Sequence, residues 1–286
     1  MMIRSFAKIN LGIEVLGRRE DGYHDIRTLF QAVDFGDTLE FRAREDGQIN
    51  LAGTDASIPW DGRNLVSRAA RLLEQRSGVS RGADIKVAKS VPAGKGLGGG
   101  SSNAAMALRA LSRLWEIDAA PQELKRLAAS LGADAPYFLE GGLCLGEGRG
   151  DVLTPLPDFP ALWAVLVLPK FSILTADVYA RLPLTSHHED SRIIKFLERK
   201  DFGLLENELE ETVFSQFPRL KTIKSFFYQN EAVLSLVSGS GSAVFGLYLD
   251  RVKAAKALGV WPGPERALLV EALSRERYWR RVTAGV

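Results

Sequence analysis

Residues 91–105 read Val-Pro-Ala-Gly-Lys-Gly-Leu-Gly-Gly-Gly-Ser-Ser-Asn-Ala-Ala, and no other stretch of the 286-residue chain restricts its fold so tightly. Glycines stand at 94, 96, 98, 99 and 100, followed at once by Ser101, Ser102 and Asn103. Alternating residues lead in over 84–91, and an Ala/Leu-rich helical segment leads out over 101–115. A strand must hand over to a helix through a loop whose backbone can take positive φ and come close to a neighbour. The loop N–H groups and the positive end of the helix dipole then face what should be an anion, usually phosphate.

Several kinds of loop share such glycines. Gly94, Gly96 and Gly99 satisfy G-x-G-x-x-G, with Glu116 and Asp118 about 20 residues on. In a dinucleotide fold that acid ends a second strand, whereas here it ends the same helix. The P-loop order is absent because Lys95 precedes most of the glycines, and there is no H-R-D of the protein-kinase set.

The rest of the chain suits a cytoplasmic globular protein. It is 46% hydrophobic and 25% charged, enough for a core and unlike a disordered chain. A net charge of +2 is too small to suggest nucleic-acid or membrane-surface binding. The single Cys144 excludes an internal disulfide, fits a reducing compartment and reads as a small buried apolar residue. The chain starts without a signal peptide, and its longest apolar run, 161–168, is too short to span a bilayer.

Ile9, Leu11, Ile13 and Val15 alternate with Lys8, Asn10, Gly12 and Glu14, predicting a strand with one buried face and with Lys8 and Asn10 on the other. Further strands are expected at 24–33 and 38–43, broken at Gly36-Asp37, with a hairpin at 45–47 returning as 48–51. Asn64 reads as the cap of a helix ending near Gly78. In the helix after the glycines, Ala104, Leu108, Leu111 and Trp115 form the core stripe, and Pro121 opens the next helix, which stops at Gly132. Asp134, between that stop and Pro136, lies on a rigid turn suited to function. Strands are expected at 143–146 and 151–156, and Pro155, Pro157 and Pro160 mark a domain boundary. Beyond it we expect a doubly buried strand at 161–168 and helices near 175–181, 191–199, 203–214 and 218–229. Strands at 233–237 and 243–249 flank Ser238-Gly239-Ser240-Gly241-Ser242, followed by helices near 251–258 and 264–275 and a short terminal strand. The fold class is α+β, with two domains, 1–156 and 157–286, and the active site in the cleft between them.

The string Pro-x-Gly-x-Gly-Leu-Gly-x-Gly-Ser-Ser running into Asn-Ala-Ala resembles the phosphate-binding loop of the GHMP small-molecule kinases. Three further segments, Ala7-Lys8-Ile9-Asn10-Leu11-Gly12, Gly132-Ala133-Asp134-Ala135-Pro136 and 238–242, are similar to segments of the same family. The first continues as Leu16-Gly17-Arg18-Arg19-Glu20-Asp21-Gly22-Tyr23-His24, which looks like the branch acting on a cytidine-diphospho alcohol of the non-mevalonate isoprenoid pathway. The resemblance runs from residue 7 to about 246 and leaves the last forty residues unmatched. Lys95 stands where the family usually has glycine, adding a cation beside the phosphates.

The resemblance implies ATP as phosphoryl donor with Mg²⁺, and a small CDP-alcohol as acceptor. Such transfer needs the γ-phosphate held, its charge neutralised and the hydroxyl in line. The first domain would bind ATP through Pro92, Ala93, Gly94, Lys95, Gly96, Leu97, Gly98, Gly99, Gly100, Ser101, Ser102 and Asn103, with Asn64, Leu65 and Lys89 at the adenine. Either Ser101 or Ser102 would reach Mg²⁺, which keeps most of its waters. Lys8 and Asp134 map onto the family's catalytic pair. A lysine within ~4–6 Å lowers a carboxylate pKa by 1–3 units, so Asp134 is expected to orient the hydroxyl and take its proton late. Asn10, Tyr23 and His24 would meet the acceptor, the aromatic ring stacking on the base. Asn64 is equally a helix cap, and Asn103 equally a stabiliser of the helix start. Ser238, Gly239, Ser240 and Gly241 form a tight turn or a second anion nest. His187-His188-Glu189-Asp190 reads as a solvated loop, and Arg275, Arg277, Arg280 and Arg281 as a solvated face. A different GHMP kinase, a catalytically silent nucleotide-binding module and a dinucleotide-dependent oxidoreductase are the alternatives. Oligomeric state stays open.

Overall fold

The computed structural model describes residues 1–78, 81–182 and 190–283. His187, His188 and Glu189 lie outside these residues. Two sheets form the framework. The first holds β1 (Met2–Arg18), β2 (His24–Arg44), β3 (Ile49–Gly53), β4 (Gly82–Ala88), β5 (Leu143–Glu147) and β6 (Val152–Pro155). The second has the order β10-β7-β9-β8, from β7 (Trp163–Leu168), β8 (Leu234–Val237), β9 (Val244–Tyr248) and β10 (Arg266–Glu271). Helices α1 (Leu65–Ser77), α2 (Gly99–Leu114) and α3 (Pro121–Leu131) accompany the first sheet. The segments α4 (Thr175–Ala180), α5 (Arg192–Arg199), α6 (Glu210–Gln216), α7 (Pro218–Gln229) and α8 (Arg251–Gly259) belong to the second half. The last helix, α9 (Arg275–Thr283), returns to the first.

The local signals behave as their chemistry requires. Asn64 caps α1 by accepting from the Val66 amide at 3.0 Å, and Gly78 closes it in the left-handed region. Pro121 occupies the first turn of α3. Ala104, Leu108, Leu111 and Trp115 are all buried in the first core. Cys144 is buried, and desolvation pushes its thiol up to about 11.

Several expectations are corrected. β1 is buried on both faces from Ala7 to Ile13: the second sheet covers Ala7, Ile9 and Leu11, and on the face expected to be open Lys8 and Asn10 are buried among Phe30, Asp134 and Thr28. β2 does not break at Gly36-Asp37. It runs on through a bulge where the register against β1 slips between Phe6 and Ala7. Gly36 there lies so close to β1 that a Cβ would meet the Ser5 carbonyl at 2.5 Å. Asp34-Phe35-Gly36, which spells a protein-kinase motif, is part of this bulge.

The turn at 45–47 makes no hairpin. Both edges of β2 are taken, by β1 and β4, so β3 pairs in parallel with the far side of β4. The helix expected at 203–214 is a 3-10 turn at Phe202–Leu204, a strap touching β1 through an Ile13–Asn207 bridge, and then α6. At the end of the chain strand and helix exchange places. The short apolar run 267–270 pairs with β7, and Tyr278 and Val282, one turn apart, bury in the first core. Of the arginines of α9, Arg280 is solvent-exposed as expected, whereas Arg275, Arg277 and Arg281 are half-buried and engaged with the rest of the fold. Arg275 donates to the Leu143 carbonyl at 2.8 Å, Arg277 pairs with Glu271, Arg280 with Glu276, and Arg281 with Asp34. No helix among the described residues is long and apolar enough to cross a membrane.

Candidate active site

The glycine loop joins β4 to α2. Gly94, Gly96 and Gly98 all have positive φ, at 66°, 71° and 68°. Four consecutive loop carbonyls accept bonds from the protein. Gly94 takes the Ile173 amide, Lys95 the Ala243 amide, Gly96 the Ser238 hydroxyl and Leu97 the Lys8 amide. In a trans peptide the N–H points opposite to the C=O, so the amides of residues 95–98 turn to the other side. None of them donates a hydrogen bond among the described residues. Gly98 is the cap of α2 and supplies no side-chain acceptor, so the helix start adds further free amides. A row of unspent N–H groups at a helix N-terminus is an anion cradle.

Lys8 stands beside this cradle. Its side chain is 3% exposed, and its Nζ lies 3.2 Å from Asp134 Oδ2, which is 35% exposed at the cleft. The ammonium also donates to Asn10 Oδ1 at 2.5 Å and lies 5.3 Å from the Phe30 ring centroid. Asn10 Nδ2 donates to Thr28 Oγ1, which donates to the Gly12 carbonyl. The two-residue spacing of Lys8 and Asn10 thus does put them on one face, but the Asn10 amide is committed to holding the lysine. Asp134 opens the 3-10 turn Ala135–Leu139, whose Phe138 packs where a Gly98 side chain would be.

A cavity of ≈ 860 Å³ opens onto this pair, with Tyr23, His24, Asp134, Arg149, Thr175 and Tyr179 in its wall. The His24 and Tyr179 rings are 5.0 Å apart, and the Arg149 guanidinium lies 5.1 Å from the Tyr23 ring centroid. Tyr23 is 53% exposed, an open aromatic face. Desolvation lowers the His24 pKa, and Arg18 adds to the shift. Burial raises the Tyr179 phenol, with the Asp134 charge adding to it.

The remaining expected residues divide. Ser102 is fully buried and bonded through its hydroxyl to Ser5 at 2.6 Å, whereas the half-buried Ser101 hydroxyl has no hydrogen bond among the described residues. Asn103 is buried with an unpartnered Oδ1. Leu65 lies beside Gly100, and Lys89 pairs with Asp37 next to Gly99. Both polar ends of the Asn64 amide are spent, on the α1 cap and on the Pro59 carbonyl. Pro92 is half-buried, and the exposed Ala93 accepts from the Ser172 hydroxyl. Lys95 departs from expectation. Its side chain is not a cation beside the loop amides but is buried against residues 170–172. The serine turn packs on the glycine loop, with Ser238 bonded to Gly96, Ser240 to Thr175 and Ser242 to Phe171. What it leaves free are the amides of Gly239 and Ser240, which donate to nothing among the described residues.

Sequence reasoning missed Tyr179, Arg149, Thr175 and Asp37. Arg149, in Gly-Arg-Gly-Asp between two short strands, carried a turn signal, but the others had none. A second cavity of ≈ 670 Å³ is lined by Glu206, Glu208, Glu210 and Glu211, the first three of which the fold already uses. Glu206 pairs with Arg192, Glu208 accepts from the Val15 amide, and Glu210 pairs with Lys224.

Residues 64–142 match the GHMP kinases N-terminal domain, and residues 193–263 the GHMP kinases C-terminal domain. The 4-diphosphocytidyl-2-C-methyl-D-erythritol kinase of Pelodictyon phaeoclathratiforme is 39% identical over 270 residues, covering 92% of this chain and 93% of that one. The enzyme of that name from Geobacillus kaustophilus is 37% identical over 254 residues, covering 86% and 88%. A crystal structure of 4-(cytidine 5'-diphospho)-2C-methyl-D-erythritol kinase superposes with a TM-score of 0.81 at 34% identity, covering 95% of this chain and 99% of that one. Homoserine kinase from Cytophaga hutchinsonii, at 19% identity, shares the fold with a TM-score of 0.73, covering 96% and 95%.

Proposed function

This chain belongs to the GHMP kinase family, and we propose that it transfers the γ-phosphoryl group of ATP to the 2-hydroxyl of 4-diphosphocytidyl-2-C-methyl-D-erythritol. That reaction is a step of isoprenoid precursor synthesis by the non-mevalonate route. The observation that carries the reading is the placement of one ion pair, Lys8–Asp134, between a cradle of free amides and an aromatic-walled cavity. The cradle suits the phosphates of a nucleotide, and the exposed Tyr23 ring suits stacking on a cytosine. His24, Arg149 and Tyr179 complete a wall with polar edges for the base and a cation for the diphosphate.

In this reading the first half, 1–156, carries the donor site and 157–286 closes it. The ring of ATP lies near Leu65 and Lys89, with Asn64 acting through the α1 cap. Its phosphates lie along residues 94–102. The Ser101 hydroxyl, unbonded and beside Gly132, fits one coordination position of Mg²⁺ far better than Ser102. Bound with ATP, the ion would neutralise phosphate charge. Asp134 orients the acceptor hydroxyl and takes its proton late. Lys8, fixed by Asn10, steadies that carboxylate and the charge on the transferred group. The amides of Gly239 and Ser240 offer a second anion contact from the opposite wall. The single buried cysteine and small net charge support a cytoplasmic enzyme acting on small molecules rather than nucleic acid.

The test is ADP release with Mg-ATP and the CDP-alcohol, beside mevalonate, homoserine and galactose. Release is expected with the CDP-alcohol alone, and it should be lost in Lys8→Met and in Asp134→Asn. Release with another acceptor instead would remove Tyr23 and His24 from the base pocket.

A further inference from the structure

We infer that the Lys95 ammonium serves as a built-in monovalent cation, filling a cradle of neutral oxygens that locks the phosphate loop to the wall of the acceptor cavity. Lys95 is 5% exposed, and lysines are almost never so buried unless paired with an acid. No carboxylate among the described residues pairs with it. Its partners are the Phe171 carbonyl, the Lys170 carbonyl at 3.3 Å and the Ser172 hydroxyl at 3.3 Å. Three N–H donors thus meet three uncharged oxygens. Backbone carbonyls arranged around a desolvated cation are the way proteins replace the hydration shell of potassium. Here the cation arrives on a side chain.

The cradle is a junction of both sites. The Phe171 carbonyl also accepts from the Ser242 hydroxyl at 2.6 Å. The Ser172 hydroxyl donates to the Ala93 carbonyl, and the Ile173 amide to the Gly94 carbonyl, so residues 171–173 track the phosphate loop step by step. The same segment runs straight into α4, whose Thr175 and Tyr179 line the cavity, and Thr175 is held to Ser240 of the serine turn at 2.8 Å. Without the ammonium, the Lys170 carbonyl and the Ser172 oxygen lose the donor they share, and the Phe171 carbonyl keeps only the Ser242 hydroxyl. The loop and α4 then lose their common anchor, and a displacement of about 1 Å at a reacting group costs on the order of 10²-fold in rate. Lys95 is therefore a positioning residue. The role assigned to it rests on the kinase reading for its effect on turnover, though not for its effect on nucleotide binding.

The experiment compares wild type, Lys95→Gly and Lys95→Met at fixed ionic strength, first in tetramethylammonium chloride, then with ammonium, methylammonium or potassium chloride replacing it. The readouts are the Kd for a fluorescent ATP analogue and ADP release with Mg-ATP and the CDP-alcohol. Both variants should lose roughly 10–100-fold in kcat/KM for each substrate. Ammonium or methylammonium should restore Lys95→Gly by about tenfold or more in both readouts. They should leave wild type unchanged and fail on Lys95→Met, whose stem fills the space without the charge. A general loss of stability would not respond to the identity of a small cation. Undiminished activity in both variants, or a loss in Lys95→Gly that no small cation repairs, overturns the proposal. If wild type releases no ADP with the CDP-alcohol, the substrate reading fails, and cation-dependent nucleotide affinity still decides the role of Lys95.

Discussion

His24 shows how much a single side chain contributes here through its protonation state. Burial, aided by Arg18, holds its pKa below the ordinary 6.5. Between that depressed value and 6.5 the unfolded chain binds more protons than the folded one. The stabilising contribution is therefore complete above pH 6.5 and is lost as pH falls through the folded-state value. A neutral imidazole offers one donor and one acceptor to a base edge, and a protonated one offers donors only. We expect 1/KM for the CDP-alcohol to be flat above pH 6.5 and to fall on the acid side, and that limb to be missing in His24→Gln. At Asp134 the expected change is in turnover. General-base help contributes roughly 10²–10⁴-fold, so Asp134→Asn should lower kcat by that much with little change in the KM for ATP. A loss under about tenfold in single-turnover measurements would remove the base role.

Among the elements, the glycine loop was the most legible in the sequence. Its glycines are local signals, and so were the α1 cap, the start of α3 and the turn carrying Asp134. What stayed hidden depends on residues far apart in the chain. The parallel pairing of β3 follows from both edges of β2 being taken, and Tyr179 comes to His24 from 155 positions away. The buried Lys95 was unreadable because two of its three partners are backbone oxygens, which have no sequence signature, and the third is the hydroxyl of Ser172, 77 positions away. The fit of the loop against the serine turn is tightest at Gly96. A Cβ there would lie 1.8 Å from the Ser238 carbonyl, and φ is already +71°. Left-handed strain and overpacking together should make Gly96→Ala less stable by about 2–5 kcal/mol. Urea unfolding measures the stability loss, and a raised KM for ATP should accompany it.

On the scale of the whole molecule, the two halves are built into each other. Ala7, Ile9 and Leu11 of β1 lie in one cluster with Leu166, Leu236 and Phe245 of the second sheet. Phe6 of the same strand packs in the other cluster beside Tyr278 of α9, their rings 5.8 Å apart. Tyr278 also donates to the Phe138 carbonyl at 2.8 Å, behind the turn that carries Asp134. Truncating such a buried ring costs about 3–5 kcal/mol. Tyr278→Ala should show that loss in equilibrium unfolding while both KM values stay near wild type. A large change in either KM would mean that α9 shapes the site as well as closing the core. The return of α9 to β1 also sets an order in time. The first strand to leave the ribosome finds one of its packing partners only after some 270 further residues have been made. At ~5–20 residues per second, that is a wait on the order of 10–60 s. For that interval the first core is assembled without the rings that close it, and it is then that a chaperone or a protease would meet its open end.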